Sequence, residues 1–316
     1  MARLYKKTEG KIQYTASTQV SIPLARNYHI QHLLFKLNVK HTNSTAVFKD
    51  SLANLINRVE IVANGNEVIK SIPGFKLQLN SLLISGIRGL NTVVTADGAD
   101  KESFEYFVVP FAMPRMVRPN DTILNSALFN TFDLRVNWGD SASLGTGITV
   151  TDASIDVMSE SLVNYRRSEN ETIKHFIETS LNKEITSSTS EFQIDLPTQK
   201  LYKSLAIIST VNGVRTNTVV NNIKIKSGTT VFADFPAEAL RAENLGNFRP
   251  NTQADFDGVH ILDFTTRGKL SDVLNTLSNS GFNTVELILD VTKQTGTNNI
   301  LLLQETIQDT GLVEKY

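Results

Sequence analysis

Strand-like segments of this chain recur in the same order in its two halves, and that recurrence limits the fold more than any single motif does. Leu128 to Trp138 reads LFNTFDLRVNW, and Phe282 to Leu289 reads FNTVELIL. Phe132, Leu134 and Val136 alternate with polar residues in the first stretch, as Val285, Leu287 and Leu289 do in the second. A side-chain period of two puts such residues on one face of a β-strand, with a core on that side and water or a partner on the other.

Four further echoes keep the same order. Val20, Ile22 and Leu24 fall on Phe192, Ile194 and Leu196. Leu55 to Leu77 carries Asn64-Gly65 between two alternating runs, a hairpin signal because a type I′ turn needs positive φ at both central residues. Its counterpart, Val219 to Leu240, carries Ser227-Gly228. Val59 and Ile61 match Ile223 and Ile225, and Ile72-Pro73 matches Phe235-Pro236. After each proline the pattern turns helical, over Gly74 to Leu83 and over Ala237 to Leu245. Tyr106 to Pro114 answers to Gly258 to Thr266, and its prolines Pro110 and Pro114 point to an edge or bulged strand. Finally Ile155, Val157, Glu160 and Leu162 align with Ile300, Leu302, Glu305 and Ile307. The offsets fall only from 172 to 145 residues along the chain.

These spacings predict an all-β chain of two tandem eight-stranded jelly rolls with a few short helices. The expected layout is an N-terminal arm over 1–17, a first roll over 18–165, a linker over 166–186 and a second roll over 187–316. The arm reads as polar and solvated, or as a segment that orders on a partner. Ile173, Phe176, Ile177 and Leu181 would share one helical face, so the linker is expected to be helical. Evenly spaced strands without a βαβ rhythm argue against a parallel sheet, and a jelly roll limits exposed edges by folding two sheets together. The pattern counts strands better than it orders them; a Greek-key barrel of another kind has the same signature.

Composition narrows the function. A formal charge of −1 over 316 residues argues against direct nucleic-acid binding, which needs a basic excess. With no cysteine, thiolate catalysis, disulfides and Cys-ligated metals are excluded. No apolar run approaches the length of a bilayer span, and MARLYKKTEG lacks the apolar segment of a signal peptide. His29-x-x-His32 could open a metal site, but His41, His175 and His260 give no sensible third ligand. No GxSxG, GxxxxGK[ST], HExxH or GxGxxG is found. Asp97, Asp100, Asp140, Asp152, Asp255 and Asp257 sit in loops, where they read as turn residues; a structural Ca²⁺ is allowed but not required. The single tryptophan, Trp138, reads as core or interface rather than as a sugar platform. The expectation is no enzyme and no cofactor.

A cysteine-free tandem of two jelly rolls without a catalytic motif resembles the double jelly-roll major capsid proteins of tailless icosahedral viruses. The stretch MVRPNDTILNSALFNTFDLRVNWGD, Met116 to Asp140, resembles the smaller members from internal-membrane bacteriophages of the corticovirus, finnlakevirus and tectivirus kind. That resemblance implies a structural protein of the virion shell, made in the host cytoplasm. Its homotrimers would have a nearly hexagonal outline and tile an icosahedral lattice around an internal membrane. Implied partners are other copies, penton or minor capsid proteins, and the membrane through Arg3, Lys6 and Lys7 of the arm. The polar outward residues Thr131, Arg135 and Asn137 would then dominate their patch of surface. The competing reading is a two-domain jelly-roll carbohydrate-binding protein or glycan hydrolase, which predicts a monomer with a groove.

Overall fold

The computed structural model describes residues 2–85, 89–113, 115–167, 171–265, 267–277, 281 and 284–314. It divides into two compact units, Met1–Glu178 with Asp309–Tyr316, and Thr179–Gln308. Eight strands make the first roll: β1 (Arg3–Gln13), β2 (Gln19–Pro23), β3 (His29–Phe48), β4 (Ile56–Ala63), β5 (Glu67–Ile72), β6 (Gly98–Pro110), β7 (Phe132–Trp138) and β8 (Gly145–Val163). Eight more follow: β9 (Thr172–Ile185), β10 (Thr189–Leu196), β11 (Leu201–Val211), β12 (Val220–Ser227), β13 (Thr230–Pro236), β14 (Val259–Asp263), β15 (Val285–Val291) and β16 (Asn298–Val313). Among the described residues the α-helices are α1 (Gly74–Ser85), the single turn α2 (Ser141–Leu144) and α3 (Ala237–Phe248).

Strand order shows the duplication directly. The first roll has the sheets β1-β8-β3-β6 and β2-β7-β4-β5. The second has β9-β16-β11-β14 and β10-β15-β12-β13. Each strand of the second roll takes the place of the strand eight earlier in the first, and both orders are those of a jelly roll. Register follows alternation: β7 buries Phe132, Leu134, Val136 and Trp138, and β15 buries Val285, Leu287, Leu289 and Val291. Phe282 and Asn283, which open the FNTVELIL echo, and Pro114 and Thr266 lie outside the described residues. The first core gathers Phe35, Leu37, Val59, Phe107 and Leu134 between its sheets; the second gathers Tyr202, Ile207, Ile223, Leu287 and Leu302. Burying each such side chain contributes about 1.5–3 kcal/mol, so the alternating faces hold the register.

The helices after the two prolines form as expected and do the same job. Gly74 opens α1 where a Cβ would lie 1.9 Å from the Ala53 carbonyl oxygen, so no larger residue fits. On α1, Asn80 donates to the Val108 carbonyl of β6 at 3.4 Å. On α3, Asn244 donates to the Ile261 carbonyl of β14 at 2.8 Å and accepts from the Ile261 N–H at 2.7 Å. One asparagine in each roll thus occupies backbone groups at the edge of a sheet, where an open edge would otherwise invite pairing.

The turns differ slightly from the sequence expectation. The first hairpin closes through three residues, 64–66, with Ala63 opposite Glu67; Asn64 and Gly65 have φ of +51° and +80°. The second closes through Gly228 and Thr229, one residue later than expected, with Ser227 paired to Thr230 and Gly228 at φ +54°.

Three expectations about boundaries are corrected. The arm is not a separate segment: Arg3–Gln13 is a full strand, paired with β8 from Arg3↔Val163 to Gln13↔Ser154. It escaped notice because an edge strand exposed on both faces shows no alternation. The linker is not helical: Thr172–Ile185 is β9. His175, Phe176, Ile177 and Glu178 are buried in succession, and a strand buried on both faces loses its period of two, so the spacing of Ile173, Phe176 and Ile177 imitated a helix. The chain end does not stay in the second unit, since Asp309–Tyr316 returns to the first. There Thr310 Oγ1 donates to the Ile173 carbonyl, and the Glu314 carboxylate accepts from Asn125 and meets His29 Nε2 at 3.0 Å.

Candidate functional surfaces

The residues that sequence reasoning singled out for chemistry are spent on structure. His29 and His32 are three apart on β3, but a bulge at Gln31 turns both away from the core that Ile30 and Leu33 fill. His29 meets Glu314, whereas His32 lines an outer-face depression with Lys6, Leu34, Met158 and Glu160. Burial holds His32 below the usual imidazole range, against the pull of Glu160. His41 is enclosed between Asn43 at 2.6 Å and Ser103 at 2.8 Å. His175 and His260 are buried, and desolvation first, then Arg167 and Lys70 for His175 and Arg241 for His260, pushes each down to about 4. Among the described residues no three His, Asp or Glu side chains are grouped to hold a metal ion.

Four of the six carboxylates expected in loops behave as turn residues, whereas Asp100 lies within β6 and Asp152 within β8. Asp97 accepts from the Thr45 N–H, and Asp100 pairs with Lys40 at 3.1 Å. Asp140 caps the turn at Ser143. Asp255 forms a capping box with Thr252, and Asp257 takes Arg241 and Asn217. Trp138 is fully buried, with its Nε1 donating to the Gln13 carbonyl and its ring edge-on to Tyr14 at 5.3 Å, so it offers no sugar platform.

Arg3, Lys6 and Lys7 all lie on β1, on alternating faces of the strand. Lys6 pairs with Glu160 at 2.9 Å and Lys7 with Glu9 at 3.4 Å, while Arg3 is exposed. An ion pair from β1 to β8 and another within β1 already engage two of the three cations. On β7, Arg135 is half-buried and reaches the Gly65 carbonyl, and Asn137 is exposed, so the outward face there is polar as expected.

Sequence reasoning missed a buried ionic cluster. Lys70 on β5 and Lys76 on α1 both converge on Glu178, at 2.7 and 3.2 Å, with all three side chains at most 1% exposed. The Lys70 ammonium lies 3.9 Å from the Phe176 ring centre. Two cations sharing one carboxylate in a dry site hold β5, α1 and the opening of β9 in one arrangement, because separating them would strand desolvated charge. The available signal was Lys70 itself, on the same strand parity as Val68 and Ile72.

Strand edges and exposed apolar residues form further candidate surfaces. Strand β13 is largely exposed, with Val231 at 51% and Phe235 at 39%, whereas four of the six residues of its counterpart β5 are buried. Leu4 and Tyr5 of β1 are also exposed, at 57% and 40%. Edges and apolar strips of this kind suit contact with other protein chains.

Comparison with solved structures matches this architecture from end to end. The chain resembles the major capsid protein of Sulfolobus turreted icosahedral virus at a TM-score of 0.73 and 17% identity, covering 98% of this chain and 97% of that one. It has the double jelly-roll fold. The bacteriophage PM2 major capsid protein matches at 0.64 and 12% identity, covering 97% of this chain and 98% of that one. A capsid chain of the PBCV-1 virus matches at 0.64 and 13% identity, covering 97% and 94%. No protein-family model and no curated protein matches the sequence. At such identities the double jelly-roll similarity is one of fold, and the surfaces must carry the functional argument.

Proposed function

We propose that this chain is a major capsid protein, a structural and non-enzymatic component of an icosahedral virion shell. The observation that carries the reading is the one-to-one repeat of eight strands in two rolls, together with end-to-end similarity to capsid proteins of that architecture. Three copies joined by heterologous contacts form a ring. Because each copy supplies two similar barrels, a threefold ring presents six similar sides and tiles a closed shell. Interfaces of roughly 2,000–5,000 Å² are expected for such an obligate trimer.

The partners that follow are other copies and penton or minor capsid proteins at positions the trimer cannot fill; contact of Arg3, Lys6 and Lys7 with an internal membrane is an alternative use of β1, opposed by the ion pairs of Lys6 with Glu160 and Lys7 with Glu9. Each cation near an anionic surface contributes about 1 kcal/mol. The reading needs no cofactor and no direct nucleic-acid contact, and it places the mature protein in the virion after synthesis in the host cytoplasm. The competing carbohydrate reading lacks its platform, since Trp138 is buried. Light scattering on the purified full chain tests the proposal: a trimer is expected at micromolar concentration, and a protein that stays monomeric under all assembly conditions refutes it.

A further inference from the structure

The duplication allows each junction in one roll to be sought in the other. Strand β5 ends the sheet β2-β7-β4-β5 of the first roll, yet its outer edge is covered. Along it lies the part of β9 that belongs to the first unit, Thr172–Glu178. Ile177 there is 6% exposed and joins the first core, and Glu178 meets Lys70 at 2.7 Å. Ile69, Lys70, Ser71 and Ile72 of β5 are accordingly buried.

The counterpart of β5 is β13. Aligning Pro73 with Pro236, a shift of 163, sets Val68 on Val231, Ile69 on Phe232, Lys70 on Ala233 and Ile72 on Phe235. Strand β13 ends its sheet, with no described strand beyond it, and Ile72 at 0% exposure is matched by Phe235 at 39%. The counterpart of β9 is β1. Aligning the fully buried Ile12 with Ile185, a shift of 173, sets Leu4 on Ile177 and Tyr5 on Glu178. Leu4 is 57% exposed where Ile177 is 6% exposed. One edge of β1 pairs with β8, and the other has no neighbour among the described strands. Both halves of the second junction are therefore present and exposed.

We propose that β1 of one copy adds to the outer edge of β13 of a second copy, repeating between chains the junction that β9 makes with β5. The occupant of the β13 edge is thus another molecule of this protein. Main-chain hydrogen bonds supply affinity, and alternate side chains supply specificity. Leu4 and Tyr5 become buried against Val231 and Phe235. Charge is compatible, since Arg3 and Lys6 would meet a segment carrying the exposed Asp234 and Glu238, with Lys6 exchanging its partner Glu160 and Asp234 its partner Lys224. The contact is heterologous, each copy offering β1 on one side and β13 on another, and a rotation of one third of a turn between copies closes it into the three-membered ring of the capsid reading. Chemistry at the core of the junction differs in a useful way. Where the internal junction has Lys70 and Glu178, the inter-chain one has Ala233 and Tyr5, so separately folded copies can join without desolvating an ion pair.

The inference rests on the capsid reading for the ring, and the test separates the two. Carrying the Lys70–Glu178 contact over by the shifts of 163 and 173 brings Ala233 to Tyr5. In this cysteine-free chain, Tyr5→Cys with Ala233→Cys and a short bis-maleimide should give linked chains up to trimers on a denaturing gel, and neither single variant should. Leu4→Glu and Val231→Glu, both at exposed positions, should leave the far-ultraviolet dichroism of the dissociated chain unchanged while weakening trimer assembly at least about tenfold. A wild-type trimer with no linking, and with both glutamate variants assembling normally, overturns the inference and leaves the capsid reading standing. A wild-type chain that is always monomeric overturns both. Arg3→Glu with Lys6→Glu should weaken the trimer. Loss of binding to phosphatidylglycerol vesicles with the trimer intact would instead put β1 on a membrane and overturn the inference.

Discussion

Asn244 holds Ile261 by both backbone groups, its amide donating to the carbonyl at 2.8 Å and accepting from the N–H at 2.7 Å. The side chain is 2% exposed and lies on α3, so a helix fastens the edge of β14 from the side. In the first roll Asn80 reaches Val108 in the same position, with a longer bond of 3.4 Å.

Replacing Asn244 by leucine should therefore cost more than replacing Asn80. Two buried backbone groups lose their partners in the first case and one weak bond is lost in the second. An unsatisfied buried group costs about 1–3 kcal/mol, so Asn244→Leu is expected to lower stability by about 2–5 kcal/mol and Asn80→Leu by about 1. Urea unfolding followed by tryptophan-independent far-ultraviolet dichroism measures both. Equal losses would show that the bidentate grip contributes nothing beyond a single bond.

The cluster of Lys70, Lys76 and Glu178 predicts an ordering of variants. Glu178→Ala leaves two ammonium groups buried beside one another, with an expected loss of about 3–5 kcal/mol. Lys76→Met keeps the 2.7 Å Lys70–Glu178 pair and removes one positive charge, so its loss should be smaller, under about 2 kcal/mol. Chemical denaturation midpoints of the two variants give the comparison. If Lys76→Met proved the more damaging, the charge argument for this cluster would fail.

Acid should destabilise both compact units through their buried histidines, His175 in the first and His260 in the second. His175 and His260 are each lowered from 6.5 to about 4 by burial, so the unfolded chain binds more protons than the folded one between those values. Stability is then highest above about pH 6.5, falls as pH drops toward 4, and levels off below it, by up to about 3 kcal/mol for each histidine. His175→Gln and His260→Gln should each flatten part of this slope in melts taken from pH 7.5 to 4. An unchanged slope in both variants would contradict the assignment.

Much of the fold was legible because burial on one face of a strand writes itself into alternate residues. Phe132, Leu134 and Val136 against Val285, Leu287 and Leu289 carry that signal clearly, and the prolines at 73 and 236 mark the helices that follow. Where burial is two-sided or absent, the signal disappears. His175 to Glu178 are buried in succession and imitated a helix, while Arg3 to Lys6 are exposed in succession and resembled a frayed end. The matched asparagines, seven residues after Pro73 and eight after Pro236, were visible only once the edges they hold were known. Surfaces were less legible than cores, because a strand edge that meets a second copy has no period of its own. The exposed apolar residues Leu4, Val231 and Phe235 became informative only beside their buried counterparts.

The first hairpin gives a last prediction, because its turn joins two strands and braces a third. Asn64 and Gly65 have φ of +51° and +80°, a region that β-branched residues occupy at a cost of about 1–2 kcal/mol each. Asn64 also works on its neighbour: its N–H donates to the Thr131 carbonyl at 2.9 Å, and its Oδ1 accepts from the Asn130 N–H at 2.8 Å. Replacing the pair by Val-Val thus strains the turn and releases the segment that leads into β7, the strand between β2 and β4. The expected loss is about 3–5 kcal/mol from strain and the lost hydrogen bonds, with a lower melting temperature and reduced trimer yield. Gly228→Val, at φ +54° with nothing near its Cβ, carries the strain alone and should lose about 1–2 kcal/mol. Thermal melts and light scattering on the same preparations decide the matter. A Val-Val variant that melts and assembles like the wild type would show that neither the positive φ nor the bond to Asn130 holds β7 in register.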